Sequence, residues 1–273
     1  MSIRDRFDLV ILDWAGTVVD FGCQAPLAAL REAFARREVA VTDAQIRRDM
    51  GKAKADHVRA MLQDAAVAAA WIGARGAEPC DADIGALMQD LGPLMREQAA
   101  RSAELIEGAR SAIEALRAAG IKVGSSTGYT REMMAPVLKE AARQGYSPDH
   151  LVCSGDTPAG RPTPLMIYKA CAELGVWPLA RVVKVDDTQA GVAEGRAAGC
   201  FTVGISASGN EVGLSRAALA ALPAAERQAR IKTAERALRA AGADVVIETV
   251  AELIGVLSSP ELRAVSPAGV PRT

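Results

Sequence analysis

Asp13 ends a mostly apolar run (Phe7, Asp8, Leu9, Val10, Ile11, Leu12) and is followed by a small-residue turn, Trp14-Ala15-Gly16-Thr17. A carboxylate delivered to the tip of a strand is placed to attack phosphorus. Such a transfer needs the nucleophile, donors for the phosphoryl oxygens, and a divalent cation to relieve the repulsion between two anions. Thr127-Gly128 follows a second apolar run and offers a hydroxyl and a backbone N–H. Arg161, in Gly160-Arg161-Pro162, offers a fixed cation, and Asp186-Asp187 offers hard oxygen ligands suited to Mg²⁺. Taken singly, each of these is an ordinary turn or helix cap. In this order, each at the end of an apolar run, they are far more specific.

A second chemistry is written into Met50-Gly51-Lys52-Ala53-Lys54-Ala55-Asp56-His57-Val58-Arg59. Lys54 and His57 are three residues apart at the start of a helical run and share a helix face. A lysine beside a general acid or base suits imine formation with an aldehyde. Nearby cations (Lys52, Arg59) or burial would lower the Lys54 pKa and free its amine. A solvated basic helix start is the competing reading of this segment.

The elements that must position these groups follow from periodicity. Strands are expected over Phe7–Asp13, Ile121–Thr127, His150–Ser154, Val182–Asp187, Phe201–Ile205 and Asp244–Glu248. Helical patterns cover Ala109–Ala119, Thr130–Gln144, Pro164–Leu174 and Thr188–Ala198. This alternation implies an α/β, Rossmann-like parallel sheet with right-handed crossovers. In such sheets ligands bind at the C-terminal strand ends, where Asp13, Thr127 and Asp187 fall. Residues 23–100 read as wholly helical, with a capping box at Thr42-Asp43-Ala44-Gln45 and an Ala-rich helix from Ala65 that ends near Gly73–Gly76. A helical cap domain over 23–100, inserted into a discontinuous core of 1–22 and 101–273, is expected, since so long an insert seldom belongs to a sheet crossover. The tail Ser258–Thr273 reads as a turn and a frayed end.

Composition narrows the classes. The chain has 273 residues, enough for a core and a small second domain, and a net charge of −1 with no basic stripe, which argues against a nucleic-acid partner. Cys23, Cys80, Cys153, Cys171 and Cys200 form no CxxC pair, so neither a zinc site nor a disulfide framework is suggested. No GxGxxG follows the first strand, so a dinucleotide site is not expected. No signal-peptide h-region and no run of membrane length is present. A cytoplasmic protein with no membrane partner is the expectation.

The four strand-end motifs resemble those of the haloacid dehalogenase superfamily. Members that hydrolyse phosphate esters usually carry a second aspartate two residues after the nucleophile, as proton donor to the leaving oxygen; here that position is Ala15. Many members also carry an acidic residue four positions beyond the fourth-motif Asp, where this chain has Gly191. Ala15 and Lys54 occurring together, with Asp20-Phe21-Gly22-Cys23, Ala25-Pro26, Met50-Gly51, Ser126-Thr127-Gly128-Tyr129-Thr130-Arg131-Glu132-Met133-Met134 and Pro158-Ala159-Gly160-Arg161-Pro162, look like the phosphonoacetaldehyde hydrolases (phosphonatases) from about Phe7 to about Leu253.

That resemblance implies hydrolysis of the carbon–phosphorus bond of phosphonoacetaldehyde, within 2-aminoethylphosphonate degradation. Lys54 would form the imine, Asp13 the aspartyl-phosphate, and His57 would move protons. Thr127, Gly128, Arg161, Cys23, Met50 and Tyr129 would bind substrate. Mg²⁺ would sit on Asp13, the Ala15 carbonyl and Asp187, with Asp186 behind or in place of Asp187. It also implies a homodimer joined through the cap, and an apolar face around Met61–Trp71 fits that. A phosphate-ester phosphatase or sugar-phosphate mutase, and a non-catalytic phosphate-binding protein, are the alternatives. Ala15 argues against the first pair, and the intact Asp13, Thr127, Arg161 and Asp187 against the last.

Overall fold

A computed structural model describes residues 2–260 and Leu262. Its centre is β1 (Leu9–Leu12), four apolar residues that are all buried. A strand covered on both faces must be apolar throughout, and β1 is paired in parallel on both edges. Its neighbours are β2 (Lys122–Thr130) and β4 (Val182–Asp186). With β3 (His150–Ser154), β5 (Phe201–Ile205) and β6 (Val245–Ile247), the six parallel strands run in the order β3-β2-β1-β4-β5-β6.

The chain therefore builds outward from β1 in one direction, then returns to β4 and builds in the other. The reversal leaves a crevice at the C-terminal ends of β1 and β4, the ligand position of doubly wound sheets. Asp13 and Asp187, each one residue past its strand, stand at that crevice.

The crossover helices are α6 (Ala109–Ala118), α7 (Arg131–Arg143), α8 (Leu165–Leu174) and α9 (Gln189–Ala198). Each of the four lies within a residue or so of its expected span. Between β1 and β2 the chain forms α1 (Gln24–Ala35), α2 (Asp43–Arg48), α3 (Lys54–Leu62), α4 (Ala65–Arg75) and α5 (Asp81–Arg101), and no strand. Thr42 caps α2 with its expected partner Gln45, and Gly76 closes α4 in a left-handed conformation. The two passages joining this segment to the sheet run side by side. Ile106 N–H donates to the Val18 carbonyl at 2.9 Å, and Val19 bridges Leu105.

The structure differs from expectation in three places. β2 continues to Thr130 through a register shift between Thr127 and Thr130, so Thr127 sits inside the strand rather than at its end. Between β5 and β6 lie α10 (Arg216–Ala220) and α11 (Ala224–Ala241), for which periodicity gave no signal. Only Ile231, Ala234 and Leu238 of α11 are buried, too thin an apolar stripe to register. Finally, the face around Met61–Trp71 turns inward. Met61, Leu62, Val67 and Trp71 are buried, and Trp71 meets Phe34 of α1 edge-on at 6.4 Å. Val67 and Trp71 are one turn apart and form a single inward stripe, so α4 presents mainly Ala65, Ala66, Ala69, Ala70 and Ile72 to solvent. The chain ends with α12 (Leu253–Ser258), and the expected frayed end lies outside the described residues.

Candidate active site

Nine of the eleven residues singled out in the sequence line one narrow cavity over the crevice. They are Asp13, Ala15, Cys23, Met50, Lys54, Thr127, Gly128, Tyr129 and Arg161; Pro26, Gly51 and Thr188 complete the wall. Sequence reading missed the last three as lining residues. His57 and Asp187 stand behind the wall, both buried. A separate, more open cleft near Asp20, Arg101 and Arg216 holds none of the nine.

The lid of the cavity is the loop before α3. It meets the end of β2 backbone to backbone: a Cβ on Gly128 would lie 2.5 Å from the Lys52 carbonyl oxygen, which makes glycine necessary there. That contact brings Lys54, first residue of α3, under cover at 2 % exposure. Its Nζ lies 5.1 Å from the centroid of the Tyr129 ring. Burial lowers the Lys54 pKa to about 8; Cys23 and Asp13 act against that, and Arg161 adds to it. The cations expected to lower it do not. Lys52 is paired with Asp49 at 2.6 Å and Arg59 with Asp56 at 2.9 Å, so their charges are already balanced.

His57, one turn along α3, has Nε2 2.7 Å from the Ile46 carbonyl oxygen. A carbonyl only accepts, so Nε2 carries the proton and Nδ1 is left with a bare lone pair. Nδ1 is buried without a hydrogen-bond partner among the described residues. Burial, then the charge of Lys54, push the His57 pKa down to about 3, so the ring is a neutral base near neutrality.

On the sheet side, Asp13, Asp186 and Asp187 are all buried, and each offers an oxygen within 4.8 Å of the others. Burial raises the Asp13 pKa from its ordinary value, with Arg161 opposing and Asp186 reinforcing. Asp187 is raised further, by burial and then by the charges of Asp13 and Asp186. Asp186 stays below the usual range, because Arg161 and Lys184 outweigh its burial. Carboxylates crowded until two resist ionising lack positive charge, and their hard oxygens suit a divalent ion such as Mg²⁺. The residues present therefore fit the group. Asp187 is held by Asn210 N–H on Oδ2 (2.8 Å), by the Cys23 thiol on Oδ2 (3.2 Å) and by the Thr17 hydroxyl on Oδ1 (3.3 Å). The Cys23 pKa is pushed well up, first by burial, which keeps it a protonated donor. Thr17 and Asn210 had no assigned role; Asn210 comes from the segment after β5 and only folding brings it here.

Arg161 is occupied by protein groups. Nη2 donates to Asp13 Oδ1 at 2.9 Å and to the Ser126 carbonyl at 2.7 Å, while Nε donates to Glu194 at 3.0 Å. It thus grips the side chain of Asp13 directly. Thr127 Oγ1 accepts the Tyr129 N–H at 3.2 Å. The Tyr129 hydroxyl is buried without a hydrogen-bond partner among the described residues.

The chain is similar to known proteins. A family model of haloacid dehalogenase-like hydrolases matches residues 7–199. The phosphonoacetaldehyde hydrolase of Paraburkholderia phytofirmans is 44 % identical over 254 residues, covering 93 % of this chain and 95 % of that one. The phosphonoacetaldehyde hydrolase of Syntrophobacter fumaroxidans is 45 % identical over 88 % of this chain and 87 % of its own. The crystal structure of a phosphonoacetaldehyde hydrolase-like protein from Oleispira antarctica superposes with a TM-score of 0.93 at 40 % identity, covering 100 % of this chain and 98 % of that one.

Proposed function

The chain belongs to the phosphonoacetaldehyde hydrolases of the haloacid dehalogenase-like hydrolase family, and from this we propose that it splits phosphonoacetaldehyde into acetaldehyde and phosphate through an imine on Lys54 and a phosphoryl group on Asp13. One observation carries the reading. A fully buried lysine with its pKa brought to about 8 shares a cavity with Asp13, and Ala15 stands where a leaving-group acid would be.

A carbanion is a very poor leaving group, so direct attack on a C–P bond stalls. Lys54 removes that barrier by condensing with the aldehyde. Its neutral amine adds to the carbonyl carbon, and loss of water gives the iminium. By the family resemblance His57, whose Nδ1 lone pair is bare, would shuttle protons in these steps. Asp13 then attacks phosphorus; the O–P bond forms, the C–P bond breaks, and its electron pair enters the iminium to give an enamine. No oxygen departs in that step, so no acid is needed at position 15. Water then cleaves the aspartyl-phosphate. The enamine takes up a proton on carbon, and hydrolysis of the resulting imine frees acetaldehyde and Lys54.

Asp13, the Ala15 carbonyl and Asp187 would hold Mg²⁺, which would supply positive charge between the phosphonate and the Asp13 carboxylate. Arg161 aims Asp13, while Thr127 and Gly128 offer donors to the phosphonate oxygens. Cys23, Met50 and Tyr129 enclose the carbon end. In this reading residues 23–100 are a cap that carries the amine, and 1–22 with 101–273 are the core that carries the phosphoryl chemistry. Supply of the aldehyde by breakdown of 2-aminoethylphosphonate is part of the proposal. So is a homodimer, although the large apolar residues once expected at its interface are buried within the chain; sedimentation equilibrium decides it. Among the described residues, no helix is long and apolar enough to cross a membrane.

The test is borohydride reduction in the presence of phosphonoacetaldehyde. A two-carbon adduct mapped to Lys54 is expected, and phosphate release without any adduct at that residue would overturn the mechanism.

A further inference from the structure

Glycine inside a helix is destabilising, and α9 contains two of them one turn apart, Gly191 and Gly195. Neither has a positive φ, so backbone conformation does not require them. Space does. A Cβ built on Gly191 would overlap the Cγ and both carboxylate oxygens of Asp186, and one on Gly195 would lie 2.8 Å from Cβ and Cγ of Lys184. The missing side chains open a compartment under α9 that β4 fills with Asp186 and Lys184.

That compartment is a buried ionic cluster. Asp186 Oδ2 stands 2.9 Å from Lys184 Nζ and 3.3 Å from Arg161 Nη1. Its Oδ1 accepts from Thr188 N–H at 3.1 Å and from the Thr188 hydroxyl at 2.8 Å, and Thr188 Oγ1 in turn accepts the Gly191 N–H at 3.1 Å. Glu194 joins Arg161 at 3.0 Å and Lys184 at 3.2 Å. Asp186 and Glu194 thus hold two sides of the Arg161 guanidinium, and the third, Nη2, faces Asp13 at 2.9 Å.

We propose that Asp186 and Gly191 are a matched pair: the carboxylate at 186 positions Arg161 beside Asp13, and it fits there only because residue 191 has no side chain. Asp186 is then a positioning residue and Asp187 alone faces the metal from this strand end. The acidic group that the family resemblance leads one to expect at 191 arrives instead from 186, in the same space. The inference rests on Asp13 as nucleophile and is independent of the imine at Lys54.

The experiment compares the unaltered protein with Asp186→Gly, Gly191→Asp and the double exchange Asp186→Gly/Gly191→Asp. Each is assayed with Mg²⁺ for phosphate release, for borohydride trapping at Lys54, and for thermal midpoint. A misaimed Asp13 should lower kcat by about a hundredfold in Asp186→Gly, with KM and trapping at Lys54 little changed. Gly191→Asp should lose both kcat and thermal midpoint. The double exchange should recover kcat to within about tenfold of the unaltered protein, with a midpoint above the additive sum of the singles. Unchanged kcat in Asp186→Gly, or a double exchange no better than the worse single, overturns the pairing. If Asp186→Gly does not fold, Asp186→Asn keeps the shape and removes the charge; the same loss is expected, and full kcat overturns the proposal. An unaltered protein that neither traps nor releases phosphate sinks the functional reading alone, because the four midpoints still report the coupling of 186 to 191.

Discussion

Lys54 Nζ and the Tyr129 ring face each other at 5.1 Å, one from the first turn of α3 and the other from the overrun of β2. This contact joins the helical segment to the sheet at the point where the amine and Asp13 open onto the same cavity. An aromatic face attracts an ammonium, yet burial favours the neutral amine and holds the pKa near 8. The lysine is therefore enclosed, and half of it is the reactive neutral amine at about pH 8.

Replacing Lys54 by Arg keeps the charge and removes the capacity to form an imine. Phosphate release from phosphonoacetaldehyde should fall by on the order of a thousandfold or more, with an unchanged circular dichroism spectrum. Turnover close to that of the unaltered protein would rule out Lys54 as the condensing group.

The pH dependence has two parts. Imine formation should rise about tenfold per pH unit up to roughly pH 8, where Lys54 is half neutral, and then level off; rapid-mixing absorbance with the aldehyde reads this. His57 acts on stability. Its folded pKa of about 3 lies below the ordinary 6.5, so between those values the unfolded chain binds a proton that the folded chain refuses. Its contribution is present in full above pH 6.5 and is lost as pH falls towards 3. Urea titrations should show that His57→Gln flattens this acid slope by about one proton. An identical slope in the variant would contradict a neutral buried imidazole.

Mg²⁺ should be required. Chelation should abolish phosphate release and add-back should restore it. Because the ion binds the folded chain at crowded carboxylates, saturating it to about 100 times Kd should stabilise by about 2.7 kcal/mol. Asp187→Asn should erase that gain in differential scanning calorimetry. Full activity in chelator, or a Mg²⁺-induced shift that survives Asp187→Asn, would exclude the assigned ligand.

Trp71 ties α4 to α1 at 1 % exposure. Trp71→Ala should cost about 3–5 kcal/mol in chemical denaturation, the usual range for emptying a large aromatic site. A loss under about 1 kcal/mol would mean that the face Val67–Trp71 is not packed in solution.

Much of the fold was legible because its signals are local. β1, β3, β4 and β5 fall within a few residues of their expected spans, since buried parallel strands are short apolar runs bounded by turns. The end of β2 was misjudged, because its last residue, Thr130, is held by pairing with Ser154 of β3 across a register shift and not by hydrophobic alternation. α11 escaped because most of its surface is wet. Lys54 was visible as a candidate, and of the two expected causes of its lowered pKa burial is the one that acts, while the cations adjacent in sequence are neutralised by Asp49 and Asp56.

The sequence by itself determined the order of the elements, the reactive groups at the ends of the strands, and the coincidence of Ala15 with Lys54. Those depend on residue type and spacing over a few positions. Tertiary structure alone decided that Asn210 and Thr17 hold Asp187, that Arg161 grips Asp13, and that Gly191 makes room for the Asp186 carboxylate. Most of these contacts join residues far apart along the chain, and even the near pair depends on how closely α9 packs against β4. Their strength comes from exclusion of water, which exists only once the chain has closed around them.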